Sequence, residues 1–153
     1  DEGAAHLAGA LRSNVSLREL YLGMNAVGDV GAAALAVSLG TSNRTLTKLE
    51  LYGNEIGDDG AIALGRALGT NGTLEDLNLC SNRIGDRGAG ALCMGLCDGR
   101  NPAPLMDLDV RDNPIAIAGG RDQGDGATAR RIERRIRENR KGHRRRNVAR
   151  EAA

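Results

Sequence analysis

Leucines alternate with polar residues over short stretches of the chain, and a longer run rich in alanine and leucine follows each stretch. In the segment LRELYLGMNAVGDVGAAALAVSL (17–39), Leu20 and Leu22 show the two-residue period of a β-strand. Leu35 and Leu39 lie four residues apart, which places both side chains on one face of a helix. The pattern therefore predicts a short strand, then a loop, then a helix.

The same pattern recurs along the chain. The segments LTKLELYGNEIGDDGAIALGRAL (46–68) and LEDLNLCSNRIGDRGAGALCMGL (74–96) align with the first copy without a gap, and a fourth copy begins with LMDLDVRDNPI (105–115). The shared pattern L-x-x-L-x-L-x-x-N-x-[IV] is that of a leucine-rich repeat. Its asparagines are expected to form a structural ladder that bonds the backbone of neighbouring loops. The ladder asparagines are spaced 29, 28 and 31 residues apart, and they are Asn25, Asn54, Asn82 and Asn113.

A glycine and an aspartate stand at the start of each predicted helix. A carboxylate there can accept hydrogen bonds from unpaired backbone N–H groups, so we expect each aspartate to be the N-cap of the helix that follows it. Glycine allows a backbone turn that a Cβ would disfavour. These acids are thus predicted to be structural rather than catalytic. The pairs are Gly28 and Asp29, Gly57 and Asp58, and Gly85 and Asp86.

The stretch N-x-I-G-D-x-G-A-x-A-L resembles the ribonuclease-inhibitor-like branch of the leucine-rich repeat family. It is also similar to the repeat regions of nucleotide-binding immune receptors. The resemblance covers roughly residues 1–140. It implies an α/β solenoid, a horseshoe arc with a parallel concave sheet and convex helices, and protein binding on the concave side.

The first residues continue the repeat from its middle. The segment EGAAHLAGALRSN (2–14) matches DGAIALGRALGTN (59–71) position for position, so the chain begins at the helix of a repeat. We expect further repeats upstream in the parent protein, because an array of this kind normally covers the edge of its first strand. Residues 1–141 are predicted to form one leucine-rich repeat domain that is incomplete at its N-terminal side.

The last repeat differs from the others and is predicted to act as a cap. After an insertion at 118–126, a helix is expected in which Ile132 and Ile136 match buried leucines of the earlier helices. Its remaining positions are rich in arginine, as suits a terminal repeat with a polar outer face. Gly142 is the predicted C-cap, and residues 142–153 are predicted to be a disordered basic tail.

Strand alternation also predicts which residues point away from the helices. Both tyrosines of the chain fall at such positions, and acids outnumber bases among them. Tyrosine is common in binding hot spots, and an acidic face favours a basic partner. We therefore predict contact with another protein here, centred on the tyrosines; the alternative is an ordinary soluble surface. The predicted partner-binding residues are Glu19, Tyr21, Lys48, Glu50, Tyr52, Asp76, Asn78, Asp107, Asp109 and Arg111.

Charge is divided unevenly along the chain. Residues 1–129 carry 10 basic and 17 acidic residues, whereas residues 130–153 carry 11 basic and 3 acidic ones. The basic end is predicted to be a solvated cap. The alternatives are nuclear targeting or nucleic-acid contact, an anionic membrane surface, and an acidic surface of the parent protein or a neighbour.

Composition and motifs favour a binding protein over an enzyme. The chain has no Phe and no Trp, so Leu, Ile, Val and Ala must fill the core. No catalytic residue, cofactor, metal site or small-molecule substrate is predicted, since GDDGAIALG lacks the Lys and Ser or Thr of a phosphate-binding loop. Three cysteines without paired spacing favour a reducing compartment, so a cytoplasmic or nuclear location is expected. A similarity to Ran GTPase-activating proteins implies regulation of a small GTPase as an alternative function.

Overall fold

The computed structural model describes residues 1–97, 105–115 and 127–151. Strands and helices alternate through the four predicted repeats, which confirms the strand, loop and helix order of the sequence pattern. The predicted insertion at 118–126 lies outside the described residues. In chain order the elements are α1 (Glu2–Leu11), β1 (Glu19–Tyr21), α2 (Asp29–Thr41), β2 (Lys48–Glu50), α3 (Asp58–Leu68), β3 (Asp76–Asn78), α4 (Asp86–Cys97), β4 (Asp107–Asp109) and α5 (Ala127–Glu151).

The four strands form one parallel sheet in the order β1-β2-β3-β4. The register joins the same repeat position in every pair, so Leu20 pairs with Leu49, Leu49 with Leu77, and Leu77 with Leu108. Each connection between parallel strands includes a helix, and neighbouring helices pack against each other along the array. The chain is therefore a leucine-rich repeat solenoid with a concave sheet and convex helices.

Aliphatic side chains fill the space between the sheet and the helices. Leu49 and Leu77 of the strands and Leu35 and Leu92 of the helices are fully buried. Alanines at the helix contacts, such as Ala61, are buried as completely and let the helices approach closely. Such a core needs no aromatic side chain, in agreement with the composition. Among the described residues, no helix is both long enough and apolar enough to cross a membrane.

The helix-start aspartates bond to the neighbouring repeat, so the predicted capping of their own helices is wrong for Asp29 and Asp58. Both residues lie inside the first turn, and the N-cap positions are Gly28 and Gly57. Asp29 Oδ1 instead accepts the N–H groups of Gly57 at 2.7 Å and Gly60 at 2.8 Å, at the start of the next helix.

The same relation recurs on both sides of that pair. Asp1 accepts N–H groups from the start of α2, and Asp58 accepts those of Gly85 and Gly88 at the start of α4. Asp86 begins α4. The carboxylates of Asp1, Asp29 and Asp58 thus satisfy orphan donors of a helix one repeat away, which ties the helix layer together.

The predicted turn role of the helix-start glycines is also incorrect. Gly28 and Gly57 have φ of −97° and −100°, which other residues adopt without strain. Space is the constraint, because a Cβ on Gly57 would lie 3.2 Å from the capping carboxylate of Asp29. The left-handed backbone occurs instead just before each ladder asparagine, at Met24, Gly53, Ser81 and Asp112.

The asparagines form a continuous ladder beside the sheet. Asn54 Oδ1 accepts the N–H of Val27, while its Nδ2 donates to the carbonyl oxygens of Leu22 and Leu51. Asn82 and Asn113 make the equivalent bonds one and two repeats later. Asn25 is exposed and bonds within its own loop, to Leu22 and Gly23.

Helix α5 closes the described part of the array. Ile132 and Ile136 are buried, as the sequence predicts, and Arg135 Nε donates a 2.9 Å hydrogen bond to the Leu96 carbonyl at the end of α4. The helix does not end at Gly142 but continues to Glu151. The predicted C-cap at Gly142 is therefore wrong.

Candidate functional site

The predicted contact residues lie on the concave face of the sheet, on the side opposite the helices. Along β2 the buried Leu49 separates the partly exposed Lys48 and Glu50, and along β3 Leu77 separates Asp76 and Asn78 in the same way. Because the register is regular, the outward side chains of all four strands form parallel rows. The rows comprise Glu19, Lys48, Asp76 and Asp107, and then Tyr21, Glu50, Asn78 and Asp109.

Tyr52 follows β2 and lies close to the first repeat. A Cβ built on Gly23 would fall 2.2 Å from a carbon of the Tyr52 ring, so the ring packs directly over the backbone of that glycine. Tyr21 is 61 % exposed and Tyr52 is 41 % exposed. Both rings therefore leave large apolar areas available on adjacent repeats.

Met24 adds to this exposed apolar area and was not predicted from the sequence. Its side chain is 74 % exposed, and its sulfur lies over Gly53, which has a φ of +64°. Tyr52 over Gly23 and Met24 over Gly53 are reciprocal contacts between two loops. A large residue beside a glycine at equivalent positions of neighbouring repeats is the signal that could have identified them. We call Tyr21, Met24 and Tyr52 the aromatic rim.

The lysine of the concave face is held by two acids. Lys48 Nζ lies 3.0 Å from Glu50 Oε1 and 2.9 Å from Asp76 Oδ2. Hydrogen bonds to Asp76 and Glu50 raise the pKa of Lys48 above its ordinary value. The ammonium group thus bridges β2 and β3, and the two carboxylates offset its positive charge.

The second base of the face, Arg111, is paired in the same way. Its Nη2 lies 2.6 Å from Asp109 Oδ2, and its Nε is 2.9 Å from Asp109 Oδ1. The hydrogen bond from Arg111 holds the pKa of the Asp109 carboxyl below its ordinary value. With Lys48 and Arg111 both paired, the surplus charge on this face is negative.

A groove of about 440 Å³ lies at the β3–β4 end of the face, beside the outward acids. Its walls include Glu50, Asp76, Asp107 and Asp109 from the strands and Glu133 from α5. Asp107 also pairs with Arg140 of α5 at 3.0 Å. The arrangement provides an apolar rim at one end of the concave face and an acidic groove at the other.

Comparison with known proteins agrees with this architecture. A family model described as "Leucine Rich repeat" matches residues 13–36, 42–65 and 70–93. No curated protein sequence matches the chain.

The solved structures that share the fold include a leiomodin-1 domain and a tropomodulin domain. One, titled "Leiomodin-1 Actin-Binding Site 2 (ABS2)", aligns over 99 % of this chain and 80 % of its own length at a TM-score of 0.80 and 22 % identity. The other, the tropomodulin C-terminal domain of Caenorhabditis elegans, aligns over 95 % of this chain and 98 % of its own length at a TM-score of 0.64 and 14 % identity.

Proposed function

We propose that this leucine-rich repeat solenoid is a non-enzymatic scaffold that binds a partner protein through its concave face. The observation that carries the proposal is the aromatic rim. Tyr21, Met24 and Tyr52 expose large apolar side chains on that face, on two adjacent repeats and beside a surplus of acids. Tyrosine contributes rigid apolar area and a hydroxyl, which together suit it to the centre of a protein interface.

The acids define the chemistry of the partner. Lys48 and Arg111 are already paired within the face, whereas Glu133 carries an exposed carboxylate at the groove. A basic surface is therefore attracted as it approaches, and the paired charges of Lys48 and Arg111 do not reduce that attraction. The partner is expected to place an apolar side chain on the rim and lysines or arginines along the groove.

Actin is the first partner to test. The leiomodin-1 domain with the same fold is titled as an actin-binding site, and it aligns with nearly the whole of this chain. Filamentous actin can be mixed with the protein and pelleted by centrifugation, and the protein bound in the pellet can be measured. Failure to pellet would reject actin as the partner and leave the concave face to be tested with other proteins.

The decisive experiment compares a rim variant with a matched control. Tyr21→Ala/Tyr52→Ala removes both rings, whereas Val30→Ala/Val37→Ala removes two side chains that are exposed on α2, on the convex side. Proteins captured from native cell extract by each form are identified by mass spectrometry, and the affinity of any captured partner is measured. We expect the rim variant to lose at least about 30-fold in affinity, the loss of one hot spot of about 2 kcal/mol. A partner held equally by both variants would reject the concave site.

The repeat length and the free cysteines support two finer assignments within this proposal, the repeat subclass and the cellular compartment. The 28- and 29-residue spacings between ladder asparagines, with a full helix in each repeat, support membership of the ribonuclease-inhibitor-like subclass. Free cysteines at Cys80, Cys93 and Cys97 support action in a reducing compartment such as the cytoplasm.

A further inference from the structure

A second groove lies on the convex side, between α3 and α4. Its volume is about 650 Å³, within the range of binding pockets in general. It is separate from the concave face, because its walls come from three helices and not from the strands. They include Ile62, Arg66, Asp86, Arg87, Gly90, Met94 and, from α5, Arg131.

The groove has a backbone floor because α3 and α4 approach very closely. A Cβ on Gly95 would lie 1.9 Å from the carbonyl oxygen of Gly65, and a Cβ on Gly65 would lie 2.5 Å from that of Ala91. The two helices therefore meet backbone to backbone. Side chains further out on each helix diverge from this contact and form the walls.

One missing side chain keeps the groove open. Gly90 of α4 occupies the repeat position that holds Ile62 in α3, and a Cβ placed on Gly90 meets nothing within 4 Å. Ile62 is thus only partly buried, and Met94 is 68 % exposed one turn further along α4. A glycine in the middle of a helix costs roughly 0.5–1 kcal/mol relative to alanine. In α4 this destabilising glycine leaves the apolar surface of Ile62 and Met94 uncovered.

The charges around the groove are mainly positive. Arg66 on the α3 side and Arg131 on the α5 side are both exposed. Arg87 is paired with Asp59, and among the residues that the structure describes Asp86 is the single acid of the lining. The apolar side chains of Ile62 and Met94 are thus flanked by arginines on both sides of the groove, in contrast to the acidic concave face.

We propose that this groove binds an amphipathic α-helix of a partner protein that carries acidic residues on its flanks. The lining of α4 extends from Asp86 to Gly95, which corresponds to about 13 Å of helix and suits two to three turns of an occupant. Apolar side chains four residues apart on the occupant contact Ile62 and Met94, the latter a flexible thioether that adapts to varied shapes. Carboxylates on the two flanks pair with Arg66 and Arg131.

The test is a selection from a displayed library of helical peptides. The library has leucines at positions i, i+4 and i+7, with the flanking positions randomised, and it is selected on the full chain. Gly90→Trp fills the groove from a position where a side chain has room. Gly9→Trp is the matched control, because a Cβ on Gly9 of α1 also meets nothing within 4 Å and α1 does not line the groove.

We expect the selected peptides to be enriched in Glu and Asp at the flanks. They should lose at least 10-fold in affinity on Gly90→Trp and keep their affinity on Gly9→Trp. In an Arg66→Glu/Arg131→Glu background the same selection should enrich Lys and Arg instead.

Three results would overturn the assignment. They are the absence of enrichment on the native chain, basic flanks on the native chain, and equal binding by Gly90→Trp. Dodecanoate is added at a concentration that leaves the fold of the Gly9→Trp control intact. If it then displaces a selected peptide from the groove, the groove is a fatty-acid site instead. Because the concave face takes no part, loss of the rim-binding partner and loss of these peptides are separable results.

Discussion

The Nε of Arg140 donates a 2.6 Å hydrogen bond to the carbonyl oxygen of Met106. In the earlier repeats the equivalent carbonyls, of Arg18, Thr47 and Glu75, each accept two backbone N–H groups from the next strand. A guanidinium group thus occupies the place of a further repeat at this end of the sheet. Arg140 also pairs with Asp107 of β4, so one side chain occupies both the edge carbonyl and the edge carboxylate.

Removal of this contact is expected to weaken the attachment of α5. Arg140→Ala leaves the Met106 carbonyl without its guanidinium partner, at a cost of about 1 kcal/mol. For a domain of this size that corresponds to a fall in Tm of about 2–4 °C. Arg137→Ala is the control, because Arg137 is an exposed arginine three residues earlier on the same helix. Equal Tm values for the two variants would contradict the role of Arg140.

Two adjacent aspartates test the bonds between repeats. Asp58 caps α4 through Gly85 and Gly88, whereas Asp59 makes an exposed ion pair with Arg87. Asp58→Ala should lower the free energy of unfolding by about 1–2 kcal/mol, as for the loss of a helix N-cap. Asp59→Ala should cost less than about 0.5 kcal/mol, as for a surface ion pair. Urea denaturation of both variants measures the difference, and a larger loss for Asp59→Ala would reject the capping role.

The sequence predicts the repeat and its elements well because the same pattern of leucines and asparagines recurs along the chain. Four aligned copies define where Leu49 and Leu77 lie and therefore which strand positions face outward. The aspartates show where this reasoning ends. Asp58 is the first residue of α3 but lies close in space to the start of α4, so its true partner depends on how far one repeat is displaced from the next. That displacement follows from packing, which the repeat pattern does not specify.

Two glycines of α4 should respond in opposite ways to the same substitution. A Cβ on Gly95 collides with the backbone of Gly65, whereas a Cβ on Gly90 enters open space. Gly95→Ala should destabilise the fold by on the order of 3 kcal/mol, because backbone atoms of two helices must separate. Gly90→Ala should stabilise it by about 0.5–1 kcal/mol. Thermal unfolding of the two variants gives the comparison, and the same sign for both would contradict the observed helix contact.

These glycines also explain why neither the convex groove nor the aromatic rim could be predicted in full. In the sequence Gly90 and Gly95 are similar small residues in an alanine-rich helix. Only the approach of α3 shows that one is crowded and the other is open. Met24 presents the same limit, since its contact with Gly53 crosses from one repeat to the next. Residues on the concave strands were predictable because they follow strand alternation, and these were not because they depend on contacts between elements.

The hydroxyl group of Tyr21 provides a spectroscopic test of the rim. It donates a hydrogen bond to the carboxylate of Glu19, and this bond raises the pKa of Tyr21 above its ordinary value. A raised pKa in the folded state means that the contribution to stability is present below the unfolded value of about 10 and is lost as the pH rises through the folded value. Glu19→Gln should therefore lower the pKa of Tyr21, and the stability that this bond contributes should be lost at neutral pH.

The measurement uses the absorbance of tyrosinate, which the absence of tryptophan leaves free of overlap. A Tyr52→Phe background leaves Tyr21 as the single titrating phenol of the chain. We expect the titration midpoint in this background to fall when Glu19→Gln is added, and to stay in place when Glu55→Gln, an exposed acid outside the strands, is added instead. If both substitutions moved the midpoint equally, the net charge of the surface would control Tyr21 and its bond to Glu19 would not.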